Sequence, residues 1–403
     1  MKPVASAVLI VALWLGLFGC SSSGGGGGSS SSAFAVSTTA ADFGVASNPY
    51  SSTLAATGGT APFTWTVSGG VLPTGLSLDG ATGVVSGTPT AAGNSTVDFS
   101  VADSTGMVAT GSVLFAIHPR TDRVSVDSVG TAGNGASTEP AISSADGRFI
   151  AFTSVATLAL TPNGSGSQIF LRDAQTNTTT LVSRSTAGNA GDGASSGAAI
   201  SANGQFVAFT SLASNLALIL GGSGSQIFVR DTIGNTTTLV SQDTLGVTGN
   251  GASSQPTISA DGRFVAFTSV AALAPTPGGS GSQIFLRDTQ TNTTTLVSQD
   301  TLGVAGNGAS SQLTISADGR FVAFTSVAAL APTPGGSGSQ IFLRDTQTNT
   351  TTLVSQDAAG NAGNGASSAA SINGNGGFVA FSSAADFSLG ATGPVDIFVR
   401  AIP

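Results

Sequence analysis

Few side chains in this sequence could carry catalysis or bind a metal. The chain has one cysteine, Cys20, one histidine, His118, and one lysine, Lys2. Zinc sites and nucleophile–base pairs need clusters of Cys or His, and this sequence does not supply them. General acid–base work would fall to carboxylates, and the unperturbed pKa of Asp, ~3.9, is far from neutral. We therefore predict no catalytic residue, no metal and no cofactor.

Most of the carboxylates recur at equivalent positions of a sequence repeat. One position holds Asp146, Asp261 and Asp318, with Asn203 and Asn375 as replacements. Exchange with Asn suits a residue that bonds the backbone of a tight turn and does not suit a proton donor.

A second set of carboxylates directly follows a predicted strand. Its members are Asp173, Asp231, Asp288 and Asp345. We expect each of them to cap the next turn or to pair with the adjacent arginine. Ion binding by this set is the alternative.

Four carboxylates break the repeat and are the only candidates for an enzyme. They are Glu139, Asp192, Asp386 and Asp396. Glycoside hydrolysis needs two carboxylates at a defined separation with different pKa values. An extracytoplasmic, glycosidase-like hydrolase is therefore the alternative function. Because no histidine, lysine or tyrosine lies near these four in sequence, we predict a protein that binds without catalysis.

The charge pattern argues against nucleic acid as a partner. The net charge is −8, and the arginines mostly recur along the repeat without forming a basic stripe. Binding to DNA or RNA depends on such a stripe to neutralise phosphates.

The first residues are typical of an exported, lipid-anchored protein. An apolar run from Val4 to Phe18 follows Lys2, and it is shorter than the ~20 residues that span a bilayer. Gly19-Cys20 follows and resembles a lipoprotein signal peptidase site; an ordinary signal peptide with an incidental cysteine is the alternative. The resemblance implies a signal peptide over residues 1–20 and lipidation of Cys20.

Residues 21–32 contain only Ser and Gly, which predicts a flexible tether between the lipid and the first domain. Ser21 resembles an outer-membrane sorting signal. We expect the protein in the cell envelope, at the outer membrane or the cell surface.

Residues 33–118 predict a β-sandwich, because short alternating runs such as Phe63-Thr-Trp-Thr-Val67 are separated by turn signals such as Asp79-Gly80. The motifs Leu72-Pro-Thr-Gly-Leu-Ser-Leu-Asp and Thr82-Gly-Val-Val-Ser-Gly-Thr-Pro resemble the immunoglobulin-like, cadherin-like repeat of bacterial surface proteins. We expect Trp65 in its core. Calcium is an alternative that we do not favour, because this single module offers only Asp42, Asp79, Asp98 and Asp103.

Residues 119–403 contain a repeat. Equivalent segments begin at Ile142, Ile200, Ile258, Ile315 and Ile372, and residues 258–300 are identical to residues 315–357. Each unit carries four strand candidates, and Asp261-Gly262 predicts a tight hairpin with φ > 0 at both positions. Four short antiparallel strands per unit predict a propeller blade.

The ends of the repeat predict the number of blades. Residues 123–128 resemble a fourth strand without its first three, and the last unit stops before its fourth strand. Pairing residues 123–128 with the third strand near Phe398 would close five blades and remove exposed edges.

The unit Ile-Ser-Ala-Asp-Gly-Arg-Phe-Val-Ala-Phe, beginning at Ile258, resembles the TolB-type, WD-like propeller repeat. The predicted fold is all-β, an immunoglobulin-like sandwich followed by a five-bladed propeller. Sequons at Asn177, Asn235, Asn292 and Asn349 are interpreted as turns without glycans. The long loops Gly-Asn-Gly-Ala-Ser-Ser and Ala-Pro-Thr-Pro-Gly-Gly-Ser-Gly-Ser are the predicted contact surface for a protein or polysaccharide of the envelope.

Overall fold

The structure is a computed structural model that describes residues 33–402, apart from residues 120, 160–163, 220–221, 275–278, 332–335 and 388–394. The predicted signal peptide, Cys20 and the tether lie outside these residues. The chain divides into two compact units, Met1–Thr121 and Asp122–Pro403. Regular structure in the described residues consists of strands, and no helix among them could cross a membrane.

The first unit is a sandwich of a four-stranded and a three-stranded sheet. Its strands are β1 (Ala35–Val36), β2 (Gly44–Val45), β3 (Tyr50–Thr53), β4 (Ala56–Thr57), β5 (Thr64–Gly69), β6 (Leu76–Asp79), β7 (Val84–Gly87), β8 (Gly93–Ala102) and β9 (Val108–His118). The sheets have the orders β2-β9-β8-β5 and β3-β7-β6, and β1 pairs with β4. All pairs are antiparallel except β2 with β9.

Alternate residues of the two sheets meet in the core of this sandwich. Trp65 of β5 is buried in one cluster with Val85 of β7 and Phe99 of β8. Strand residues point alternately to opposite faces, so every second apolar side chain reaches this core. The prediction that Trp65 is a core residue is confirmed.

The second unit repeats one antiparallel sheet five times. The first sheet has β10 (Ser137–Ile142), β11 (Phe149–Ser154), β12 (Gln168–Asp173) and β13 (Thr178–Leu181); the second has β14 (Ser195–Ile200), β15 (Phe206–Ser211), β16 (Gln226–Asp231) and β17 (Thr236–Leu239). The third has β18 (Ser253–Ile258), β19 (Phe264–Ser269), β20 (Gln283–Asp288) and β21 (Thr293–Leu296). The fourth has β22 (Ser310–Ile315), β23 (Phe321–Ser326), β24 (Gln340–Asp345) and β25 (Thr350–Leu353); the fifth has β26 (Ser367–Ile372), β27 (Phe378–Ser383) and β28 (Asp396–Ala401). Each sheet pairs its strands in chain order.

The sheets stack face to face, which explains why their middle strands are apolar on both sides. Between the third and fourth sheets, Ile284 and Leu286 of β20 pack in one buried cluster with Phe324 of β23. Within the third sheet, the rings of Phe267 and Phe285 stack with centroids 6.1 Å apart. The unit is therefore a stack of propeller-type sheets, and the predicted all-β fold of a sandwich followed by propeller repeats is confirmed.

A phenylalanine and a glycine interlock each pair of neighbouring sheets. The rings of Phe149, Phe206, Phe264 and Phe321 lie directly against Gly204, Gly262, Gly319 and Gly376 of the next sheet, so that a Cβ at any of these glycines would overlap the ring. All four glycines have a positive φ, between 75° and 78°. Both the close approach and the left-handed backbone require glycine at this position.

The hairpin between the first two strands differs from the prediction in one respect. Gly262 has a positive φ of 78°, but Asp261 is not among the residues with positive φ. The Gly262 N–H donates to Ser259 O at 3.0 Å, which closes a turn of four residues before β19 begins. The predicted two-residue turn was wrong, because the sequence signal Asp-Gly also fits a longer loop with a single left-handed residue.

The predicted ring closure by residues 123–128 is wrong. Among the described residues β28 pairs only with β27. The segment contacts the first sheet instead: Thr179 Oγ1 donates to Val126 O at 2.6 Å, and Ser128 Oγ accepts the Thr179 N–H at 2.9 Å. Residues 124–128 hold the repeat positions of the linker after each fourth strand, and this linker packs on the sheet that follows it. The described part of the second unit thus has four sheets of four strands and one of three.

Candidate functional site

An arginine, an aspartate and a phenylalanine form a recurring group at the edge of the sheets. In the third sheet Arg263 donates from Nε and Nη2 to the two oxygens of Asp288 at 3.0 and 2.6 Å. Its guanidinium lies 4.7 Å from the centre of the Phe264 ring. The hydrogen bond from Arg263 lowers the pKa of Asp288 to about 2, so this carboxylate is ionised at neutral pH.

The same group recurs in the first and fourth sheets and changes in the others. Arg148 pairs with Asp173 at 2.5 Å, and Arg320 pairs with Asp345 at 2.6 Å. In the second sheet Gln205 replaces the arginine and donates to Asp231 at 3.2 Å.

The aspartates of this group also accept hydrogen bonds from the backbone of the next turn. Asp288 Oδ1 also accepts the backbone N–H of Gln290 at 2.9 Å, so the predicted turn-capping role is confirmed. The alternative, pairing with the adjacent Arg287, is not the pairing that the structure shows, since Arg263 bonds this carboxylate. Arg263 reaches the carboxylate because β19 and β20 place Phe264 directly opposite Asp288.

A second arginine of each repeat is buried in the third strand. Arg172, Arg230, Arg287 and Arg344 are 6%, 2%, 3% and 3% exposed. Arg287 donates from Nη1 to Asp243 O at 3.1 Å and to Thr294 Oγ1 at 3.0 Å, and from Nη2 to Asn292 Oδ1 at 3.1 Å. Burial lowers the pKa of these arginines, that of Arg230 to about 10, which leaves them protonated at neutral pH.

These buried arginines were not predicted from the sequence, although a signal for them was present. Each is followed after five residues by Asn and after seven by Thr, for example Arg287, Asn292 and Thr294. The asparagine is the sequon residue, and its positive φ of 58° confirms the predicted turn. Its side-chain oxygen is engaged by the arginine.

Open grooves lie between successive sheets beside these groups. The groove between the third and fourth sheets has a volume of about 460 Å³, and that between the fourth and fifth sheets about 290 Å³. Both are lined by the half-buried Phe, the Asp of the ion pair and threonines of the outer strand; among these are Phe264, Asp288, Thr295, Phe321, Asp345 and Thr352. The threonines Thr295 and Thr352 are exposed. Such walls offer hydroxyl groups, carboxylate and guanidinium groups, and aromatic surface.

Two of the carboxylates that break the repeat are held by local hydrogen bonds. Glu139 Oε2 accepts from Thr153 Oγ1 and from the Gly197 N–H, both at 2.8 Å, which ties the first sheet to the second. Asp192 accepts from the N–H and the hydroxyl of Ser214, both at 2.6 Å. The Ser214 hydroxyl is the main cause that lowers the pKa of Asp192, which makes it a poor proton donor.

The other two repeat-breaking carboxylates are Asp386, which follows β27, and Asp396, which begins β28. The Asp386 N–H donates to Asn364 Oδ1 at 3.0 Å. Asp396 lies opposite Ser383. In the third sheet the equivalent position is held by the buried Gln283, which lies opposite Ser269. In the described part of the chain no hydrogen bond joins any two of the four repeat-breaking carboxylates.

The remaining predicted residues have structural contacts. Asp261 Oδ1 accepts the Arg263 N–H at 3.0 Å, and Asn203 Oδ1 accepts the Gln205 N–H at 3.1 Å, which confirms the turn role of this position. In the sandwich, Asp103 Oδ1 accepts the N–H of Met107 at 2.9 Å. Within the ranges that the structure describes, no group of three or more His, Cys, Asp or Glu could hold a metal ion.

The predicted contact loops are described only in part. Residues 275–278 and 332–335 of the Ala-Pro-Thr-Pro loops lie outside the described residues. The Gly-Asn-Gly loops are described, and Asn134 Oδ1 accepts the Thr157 N–H at 2.9 Å. This asparagine therefore joins two loops of one sheet.

One known protein family matches the region of the sandwich. The family model described as "Putative Ig domain" covers residues 30–118, which confirms the immunoglobulin-like resemblance of this region. No curated protein matches the chain.

Several solved structures resemble the chain at low similarity. A "putative TolB" from Agrobacterium tumefaciens is 14% identical with a TM-score of 0.36, over 64% of this chain and 76% of that one. The GH74 enzyme of Niastella koreensis is 15% identical with a TM-score of 0.36, over 61% of this chain and 33% of the enzyme. The tricorn protease is 14% identical with a TM-score of 0.35, over 79% of this chain and 28% of the protease. TM-scores this low assign neither an activity nor a ligand.

Proposed function

We propose that the chain is a non-catalytic binding protein of the cell envelope whose repeated grooves bind a polysaccharide. The observation that carries the proposal is the recurrence of one groove between successive sheets, lined by threonine, aspartate and phenylalanine. The carboxylates beside it are engaged in ion pairs and turns. A surface of this kind binds ligand and leaves no carboxylate poised for proton transfer.

The chemistry of the grooves favours a polysaccharide over a protein. Thr295, Thr352 and Gln347 offer neutral hydrogen-bonding groups. Arg320 adds a charged donor to one groove and Arg400 to the other, each beside a carboxylate acceptor. A hydroxyl-rich polymer matches such groups. A polymer with a repeating unit can also occupy several equivalent grooves at once, so weak contacts add up through high effective concentration.

Two exposed threonines test the groove. Thr295→Glu combined with Thr352→Glu places a carboxylate in each of two grooves. We expect the immobilised variant to retain at least about tenfold less of an envelope polysaccharide fraction than the parent, because two linked contacts are lost. Thr66→Glu, at an exposed position of β5 in the sandwich, is the matched control and should retain the parent level. Equal retention by the parent and the groove variant, or retention of an envelope protein without polysaccharide, would contradict the proposal.

The lipid anchor is a separate part of the proposed function. We expect the chain to be labelled by a palmitate analogue in cells and to pellet with membranes, because the apolar run, Gly19 and the Ser/Gly tether surround Cys20 as an acylation site would require. Cys20→Ser should abolish both the label and the membrane association. A Cys20→Ser chain that is still labelled and still pellets would show that this interpretation is wrong.

A further inference from the structure

The two outermost sheets of the stack present complementary halves of the junction that joins all inner sheets. At an inner junction Ile284 and Leu286 are 0% and 5% exposed, because they pack on the next sheet. The Phe264 ring lies on Gly319, and the Ala260 N–H donates to Ala317 O at 2.8 Å. This junction occurs four times between the five sheets.

The fifth sheet carries one half of the junction without a partner sheet. Ile397 and Val399, which correspond to Ile284 and Leu286, are 77% and 70% exposed. Phe378 corresponds to Phe264 and is 51% exposed. These three side chains form a contiguous apolar surface of the kind that marks interaction sites.

The first sheet carries the other half. Gly147 has the φ of 69° that is typical of the ring-receiving glycines, yet no aromatic ring lies against it and only Ile142 Cδ1 comes within 4 Å of its Cβ position. Ile142 itself is 61% exposed, whereas the equivalent Ile258 is 9% exposed. Among the described residues, Phe378 thus has no glycine of a following sheet beneath its ring, and Gly147 has no phenylalanine ring of a preceding sheet against it.

The edge of the fifth sheet shows the same complementarity. In the third sheet Ser298, two residues after the fourth strand ends, provides Oγ for the Ile284 N–H at 2.9 Å. Among the residues that the structure describes, the fifth sheet has no fourth strand beside β28. Ser125 holds the repeat position of Ser183 and Ser298: the Gly133 N–H donates to Ser125 O as the Gly306 N–H donates to Ser298 O. Residues 121–125 are therefore suited to pair with β28 as an added strand.

We propose that copies of this chain join head to tail, the first sheet of one copy packing on the fifth sheet of the next. Phe378 of one copy would lie on Gly147 of the other, and Ile397 and Val399 would be covered. The occupant is a second copy because the junction continues an interface already used inside the chain, and because the single chain leaves both faces exposed. A heterologous contact of this kind builds a ring or a filament.

A pair of cysteines tests the junction directly. At the last inner junction a Cβ on Gly374 would lie 3.7 Å from the Ala317 Cβ, which suits a disulfide. Repetition of this geometry places Gly374 of one copy against Ala145 of the next. In the Cys20→Ser chain, Ala145→Cys with Gly374→Cys should give disulfide-linked dimers and larger species, and a mixture of the two single variants should give dimers only. Ala317→Cys with Gly374→Cys, which should link within one chain, is the control for geometry.

The outcomes separate a second copy from closure of one chain. A disulfide within the chain for Ala145→Cys with Gly374→Cys, or no disulfide while the control forms one, would overturn the proposal. Sedimentation velocity gives an independent reading: Ile397→Asp with Val399→Asp should reduce assemblies of the parent to the monomer mass without lowering thermal stability, while Val71→Asp, at a position 80% exposed in the sandwich, should not. A parent that stays monomeric at all concentrations would also overturn it.

Discussion

Gly376→Ala is expected to lower the free energy of unfolding of the second unit by about 2–4 kcal/mol. Two costs add at this position. The backbone has a φ of 76°, which disfavours any residue with a Cβ, and the new methyl group would overlap the Phe321 ring of the preceding sheet. The half-buried ring lies in the junction between two sheets and would have to shift to make room for the methyl group.

The same turn contains a matched control. Gly374 lacks a positive φ, and a Cβ there meets only the Ala317 Cβ at 3.7 Å, an ordinary contact. Gly374→Ala should therefore change stability by less than about 0.5 kcal/mol. Gly147→Ala shares the positive φ without the ring and should give an intermediate loss.

Denaturant unfolding followed by circular dichroism would measure these differences. Fluorescence of Trp65, the tryptophan of the sandwich core, reports the unfolding of the first unit separately. The midpoint of that transition should not change in these variants. Equal losses for Gly376→Ala and Gly374→Ala would contradict the interlocking of sheets by phenylalanine and glycine.

Arg344→Met is expected to cost about 2–4 kcal/mol of stability. The buried guanidinium donates to Asp300 O, Asn349 Oδ1 and Thr351 Oγ1, and these hydrogen bonds hold the fourth strand and the preceding linker to β24. Methionine fills a similar volume but removes the donors of all three hydrogen bonds. The Asp300 carbonyl keeps the Gly303 N–H at 3.1 Å, so the expected cost comes from the sum of the three lost hydrogen bonds.

Arg400 offers the matched control for this prediction. It occupies the equivalent position of β28, is half-buried, and donates to Gln356 O at 3.3 Å. Its sheet has no fourth strand among the described residues. Arg400→Met should cost about 1 kcal/mol or less. If both variants lose the same stability, the buried hydrogen bonds of Arg344 do not hold the outer strand.

The repeated strands could be predicted from the sequence because the signals for them are local. Alternating apolar residues, the Asp-Gly turn after Ile258 and the sequon turn at Asn292 fix each strand by itself. Trp65 could be assigned to the core for the same reason, since it lies in an alternating strand between turn signals.

Contacts between sheets could not be predicted in the same way. The partner of Asp288 is Arg263, which is distant in sequence and comes close only through the register of β19 with β20. Adjacency in sequence suggested Arg287, whose side chain points to the opposite face. The prediction that residues 123–128 close the ring was wrong because the same sequence pattern is found in a linker and in a strand at the edge of a sheet. The grooves arise from the stacking of sheets and have no signal in a single repeat.

The most direct test of the central claim, binding without catalysis, is whether the retained polysaccharide is cut. The chain should be incubated with that polymer and the release of new reducing ends followed, alongside Glu139→Gln, Asp192→Asn, Asp386→Asn and Asp396→Asn. The structure engages Glu139 and Asp192 in hydrogen bonds, and the lowered pKa of Asp192 makes it a poor proton donor. We predict retention of the polymer with no release of ends above background in the parent or any variant. Release by the parent that disappears in one of these variants would contradict the account and establish a hydrolase.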